Sequence, residues 1–137
     1  MLKFRFLPHT ADIKFRAYGK TLEEAFANSC LAVSSVLSNG NKINSKKEKK
    51  VKVEGGDNKS ILRNLLEEIV YLFDAENFIT VKAKVEFDET ARKLRAVFFG
   101  DSSENYSNLD HIKSVTYSEM FVKKVKDKWV TQVVLDV

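Results

Sequence analysis

The chain has 137 residues, 44% hydrophobic and 31% charged, with a net charge of +4. This is the composition of one soluble domain, residues 1–137, and no apolar run approaches the ~20 residues of a membrane-spanning helix. The single cysteine excludes an internal disulfide or a cysteine-based metal cluster, and the modest positive charge permits an anionic partner without requiring one.

Residues 1–6 alternate apolar and basic, unlike the continuous apolar core of a secretion signal, so a cytoplasmic protein with no membrane partner is expected. Residues 2–6 read as a first strand and 12–18 as a second. In the second, Ile13, Phe15 and Ala17 alternate with Lys14, Arg16 and Tyr18, the pattern of a sheet with one buried face. Asp12 falls in phase with Lys14 and Arg16, at the loop end or the outer face. Gly19-Lys20 turns the chain, and Thr21 to Glu24 matches a capping box that opens a helix over about 22–37, stopped by Asn39-Gly40. Residues 41–50 are polar and basic, and a strand follows from Lys49 to Glu54 with Val51 and Val53 inward. Gly55 to Asn58 leads into a second helix over about 59–74. Both helices are apolar over most of their circumference, so both need partners on more than one side and belong between sheet layers. Strands are expected at 79–87 and 93–99 around a turn at 88–91. A polar loop covers 100–110, and strands at 112–122 and 129–137 close the chain as a hairpin. The order β-β-α-β-α-β-β-β-β gives a single α+β domain with mostly antiparallel pairing.

Three stretches hold residues capable of chemistry. Leu7 to Asp12 places a proline, a histidine, a hydroxyl and a carboxylate in six residues, and Asp136 stands one residue before Val137. Two aspartates and a terminal carboxylate suit a hard cation that prefers oxygen ligands: calcium, magnesium or manganese. Taken alone, an Asx turn at Asp12 and a solvated chain end explain the same residues more simply. His9 could act as base or ligand, but no nucleophile stands at a telling spacing. Cys30 lies among apolar helix neighbours, and no G-x-S-x-G occurs, so nothing supports an independent hydrolase. Asp110 to Tyr117 forms a second polar cluster, in which Lys113 is a candidate for partner contact. The lysines of segment 42–52 read best as guards of an edge strand, with a phosphate-binding strip as the alternative.

Leu7-Pro8-His9-Thr10-Ala11-Asp12 and Tyr18 to Phe26 together resemble the archease signature. So do Gly55-Gly56-Asp57-Asn58 before Ile61-Leu62, the strand Lys113 to Tyr117, and the terminal Asp136-Val137. The similarity spans essentially the whole chain. It implies a layered fold with sheets on both sides of the helices. It also implies an accessory role instead of an enzyme activity: activation of an RtcB-type RNA ligase in tRNA splicing, by promoting ligase guanylylation and repeated turnover. RNA would be met indirectly, through that ligase. The resemblance carries a metal site, calcium first, onto Asp12, Asp136 and Val137, and leaves His9 and Lys113 as weaker candidates for partner contact. Two positions depart from the family pattern: Asp101 where glutamate is usual after Gly100, and Ser118 where many relatives have histidine. A stand-alone RNA-binding module and a general chaperone are the rival readings.

Overall fold

The computed structural model describes residues 1–88 and 92–137. Two strands, β1 (Phe4–Leu7) and β2 (Ile13–Gly19), lead into helix α1 (Leu22–Ser38). Strand β3 (Lys47–Glu54) is followed by helix α2 (Asn58–Glu76), and then by β4 (Phe78–Asp88), β5 (Lys93–Ser102), β6 (Ser114–Val125) and β7 (Lys128–Asp136). The expected order therefore stands. The expected turn at 88–91 falls largely on residues 89–91, outside the described residues.

The strands form two antiparallel sheets, one of four in the order β1-β2-β7-β6 and one of three in the order β3-β5-β4. Helix α1 packs against β2 of the first sheet and β4 of the second, and α2 against β6 of the first and both β3 and β4 of the second. The helices thus form the middle layer, as their wide apolar surfaces require. Phe15 from β2, Phe26 from α1, Leu65 and Ile69 from α2 and Phe98 from β5 are all fully buried in this layer. Each such side chain contributes about 1.5–3 kcal/mol by leaving water.

Local chemistry sets the helix ends. The Glu24 N–H donates to Thr21 Oγ1 at 3.1 Å, and Glu24 Oε1 accepts the Lys20 N–H at 3.2 Å. Asp57 and Ser60 cap α2 reciprocally, each side chain meeting the other's N–H. Asn39 and Asn77 end the two helices in the left-handed conformation, which asparagine adopts more readily than most residues. Strand β6 lies at a sheet edge, yet its Val115 peptide is not open. Arg63 Nε donates to its carbonyl at 3.1 Å, and its N–H donates to Glu67 Oε1 at 2.7 Å. Two side chains one turn apart on α2 thereby close that part of the edge to a further strand.

Two expected boundaries need correction. Residues 100–102 belong to β5, not to the polar loop. β4 is bulged between Thr80 and Lys82, and Phe78, Ile79 and Thr80 pair with Ser102, Asp101 and Gly100. The strand expected at 112–122 begins at Ser114, runs to Val125 and is broken in register. Thr116 pairs with Val134 and Phe121 with Gln132, so residues 117–120 stand against Val133 alone.

Candidate functional site at the joined chain ends

Strands β2 and β7 pair antiparallel, and Ile13 lies opposite Leu135. Asp12 and Asp136 are the next residues along the same two strands. On the other flank of β7, Ser114 pairs with Asp136, and the Lys113 N–H donates to the Asp136 carbonyl at 2.8 Å. The chain ends and the start of β6 therefore meet at one corner of the four-stranded sheet. Asp12 and Asp136 are half-buried and Val137 is exposed. Among the described residues neither aspartate carboxylate accepts a hydrogen bond; His9 Nδ1 lies 3.9 Å from the Asp12 Oδ2. Both carboxylates keep their lone pairs uncommitted, which fits a hard-cation ligand better than an Asx turn, where that oxygen would be occupied. Among the described residues no three His, Cys, Asp or Glu side chains are arranged to hold a metal ion.

Beside this corner is a residue the sequence reading overlooked. Glu119 sits in the β6 bulge with φ 54, a left-handed conformation unusual for glutamate. Its carboxylate takes Lys14 Nζ at 3.0 Å and faces His9 Nε2 at 2.9 Å. These bonds, His9 first and then Lys14, hold the Glu119 carboxyl below the usual glutamate range. Gln132 fixes the bulge from below: its Nε2 donates to the Glu119 carbonyl at 2.8 Å, and its Oε1 accepts from Arg16 at 2.9 Å. Thr116 Oγ1 donates to the Val134 carbonyl and accepts the Ser118 N–H. His9 thus stands between Glu119 and Asp12. Its Nδ1 is buried without a hydrogen-bond partner on the side that faces Asp12. The bulge has a trace in the sequence: the buried positions are odd-numbered at Val115 and even-numbered at Met120, so the inward face must slip between them.

The remaining candidates divide. The Lys113 side chain is exposed, and its contribution at this corner is its main-chain N–H. Ser118 is exposed in the bulge. Cys30 is fully buried, and burial pushes its thiol far above the usual range, so it is a core residue and no nucleophile. Asp101, 2% exposed, organises the turn that follows β5: it accepts Tyr106 Oη at 2.8 Å and the Ser102 N–H at 2.8 Å. The Tyr106 bond, above all, lowers its carboxyl from the usual aspartate range. A depressed carboxyl stabilises the fold above its unfolded-state value, and that contribution is lost as pH falls through the lower folded value. Tyr106 Oη also accepts the Asn44 N–H at 2.9 Å, so Tyr106→Phe is expected to lose stability relative to wild type at neutral pH and to narrow, but not close, that gap in acid, measured as urea midpoints from pH 7 down to pH 3. A gap that stays constant over this range would contradict the assignment.

A groove of about 360 Å³ opens beside Asp12, between β1–β2 and the C-terminal end of α1, with Phe6, Lys14, Asn39 and Asp110 among its walls. Among the described residues no helix is long and apolar enough to cross a membrane.

Comparison with known proteins adds a family. The model of the Archease protein family (MTH1598/TM1083) matches residues 4–137. The chain is 36% identical over 142 residues to Protein archease of Pyrococcus abyssi (strain GE5 / Orsay), covering 100% of each. It is 36% identical over 140 residues to Protein archease of Methanosarcina acetivorans, covering 98% of this chain and 96% of that one. Among solved structures, Methanobacterium thermoautotrophicum protein 1598 is similar with TM-score 0.79 and 28% identity, over 98% of this chain and 99% of the other. A Thermotoga maritima protein described as an archease and possible chaperone shares the fold with TM-score 0.61 and 18% identity, over 96% and 94%.

Proposed function

The chain belongs to the archease family, and from that premise we propose that it is a cytoplasmic accessory protein, not itself an enzyme, that activates an RtcB-type RNA ligase in tRNA splicing. In this reading it promotes guanylylation of the ligase and so sustains multiple turnover. One observation carries the site: Ile13 opposite Leu135 leaves Asp12 and Asp136 adjacent, with carboxylates that accept no hydrogen bond among the described residues. Asp12, Asp136 and the Val137 carboxyl group would hold a divalent cation, calcium first, with magnesium or manganese as substitutes. When bound, the ion supplies a positive centre for oxygen ligands of a partner. Glu119, His9 and Lys14 position the Asp12 loop against β6. His9 and Lys113 border the site and are the weaker candidates for contact with the ligase.

The test is multiple-turnover ligation by the cognate ligase with GTP and manganese. Three conditions are compared: no addition, wild type, and Asp12→Ala shown to be folded. Stimulation by wild type at least tenfold above that by Asp12→Ala is the expected result. Equal stimulation would keep the activator role and remove the cation site from it. No stimulation by either, with a competent ligase, would refute the activator reading. A general chaperone would instead suppress aggregation of unrelated proteins independently of Asp12; the Thermotoga protein is described as a possible chaperone.

A further inference from the structure

The three-stranded sheet turns its outer face away from the helices, and its residues fall in cross-strand rows. Lys50, Val97 and Lys84 form one row, and Lys52, Arg95 and Glu86 the next. Between the rows runs a groove of about 680 Å³ whose floor is the backbone at Val51, Ala96 and Val85. Arg95 is paired with Glu86 at 3.1 Å. Lys50, Lys52 and Lys84 are exposed and carry no ion pair among the described residues. The groove is therefore walled by three uncompensated cations. Its floor is a central strand whose peptide groups are already used on both sides, so an added β-strand has nothing to pair with.

The row beyond Lys50 and Lys84 is Glu48, Phe99 and Lys82. Phe99 is half-buried in the middle strand, with Lys82 Nζ 5.3 Å from its ring centroid. A lysine on a flexible stem can leave that ring face to another planar group. An aromatic ring at the centre of a sheet, with unpaired lysines on the strands to either side, is the combination that binds single-stranded nucleic acid. The lysines take the phosphates, and a base stacks on the ring. A purely electrostatic partner such as an acidic peptide would use the lysines and ignore Phe99.

We propose that the outer face of the β3-β5-β4 sheet binds single-stranded nucleic acid, for which RNA is the probe used below, with Lys50, Lys52 and Lys84 on the backbone phosphates and Phe99 as the stacking platform. This surface belongs to the three-stranded sheet, whereas Asp12 and Asp136 belong to the four-stranded one, so the proposal stands without the ligase reading.

The test is fluorescence anisotropy of the full-length protein with a labelled 15-nucleotide single-stranded RNA across a salt series. Three engaged phosphates predict a slope of log affinity against log salt of about −2. The double variant Lys50→Glu/Lys84→Glu is expected to weaken binding more than about tenfold and to flatten that slope, since each lost phosphate contact removes about 0.7 units of it on a single strand. Lys3→Glu/Lys124→Glu makes the same net-charge change on the other sheet and is expected to leave most of the affinity. Phe99→Leu is expected to weaken RNA about fivefold or more while leaving an abasic oligonucleotide of equal length unchanged. All the lysine positions are exposed, so those arms do not depend on the core, and circular dichroism checks Phe99→Leu. Equal loss in both charge-reversed variants would overturn the proposal, as would wild-type protein that fails to bind at low salt. Equal affinity for RNA, abasic strand and poly-glutamate, with no effect of Phe99→Leu, would replace nucleic acid by a general polyanion and so also overturn it.

Discussion

Gly100→Ala is expected to destabilise the protein by about 3 kcal/mol or more, in the upper range for overpacked sites. The melting temperature followed by circular dichroism should fall by about 10 °C. The reason is steric. A Cβ built on Gly100 would run into the Ile79 carbonyl oxygen and lie 2.8 Å from its carbon and 3.1 Å from Phe78 Cζ. Main-chain atoms of the neighbouring strand cannot swing aside as a side chain would. Ile79 and Phe78 are 0% and 2% exposed, so shifting them would disturb the core. The crowding follows from the β4 bulge, which brings its backbone onto β5 where Thr80 pairs with Gly100. Gly56 is the control. A Cβ there meets nothing within 4 Å and its φ is not positive, so Gly56→Ala should be neutral or stabilising by about 0.5 kcal/mol through the unfolded chain. Equal melting temperatures for Gly100→Ala and wild type would mean that β4 and β5 separate more easily than their register implies.

The same position shows what a sequence can and cannot carry. Local rules were readable: the Thr21 cap, the Asn39 stop and the alternation of β2 and β4 depend on residues a few positions apart, and each appears in the structure. The layered architecture was readable too. Two helices with apolar residues on nearly every side have no stable place except between sheets. Gly100 and Asp101 read as a loop because both are poor strand formers. They are strand residues because of partners distant in sequence: Thr80 and Ile79 across the ladder, and Tyr106 for the buried carboxylate. The β6 bulge is of the same kind. A strand pattern assumes constant register, and three extra residues reverse which side chains face inward from Met120 onward. Glu119 therefore drew no notice within the strand expected at 112–122, although it ties the His9 loop to the sheet. The meeting of Asp12 with Asp136 is non-local as well. Periodicity put Asp12 at the loop end or the outer face of its strand and gave it no partner, and only the resemblance brought it together with Asp136 before the β2–β7 ladder did.

That ladder makes the proposed cation site separable from the fold, and Asp136→Asn is the variant that separates them. With calcium at a hundredfold excess over its dissociation constant, wild-type protein should gain about 2.7 kcal/mol. This corresponds to a rise of about 10 °C in melting temperature for a chain of this size. Asp136→Asn keeps the shape of the side chain and removes its charge, and the calcium-dependent rise is expected to vanish. Without calcium the variant should melt no lower than wild type, because the Asp136 carboxylate accepts no hydrogen bond among the described residues and its main-chain bond to Lys113 is untouched. Removing one of two neighbouring carboxylates also relieves repulsion between them. Asp110→Asn supplies the contrast. Asp110 shares the groove beside Asp12, but its Oδ1 already accepts the His111 N–H at 2.9 Å, so this variant should keep the calcium-dependent rise. Loss in Asp136→Asn alone locates the ion between the chain ends. Loss in Asp110→Asn alone moves it into the groove and removes Asp136 from the ligand set. A rise that survives in both would leave calcium bound elsewhere, and the two uncommitted carboxylates would then serve only to keep that corner of the sheet hydrated.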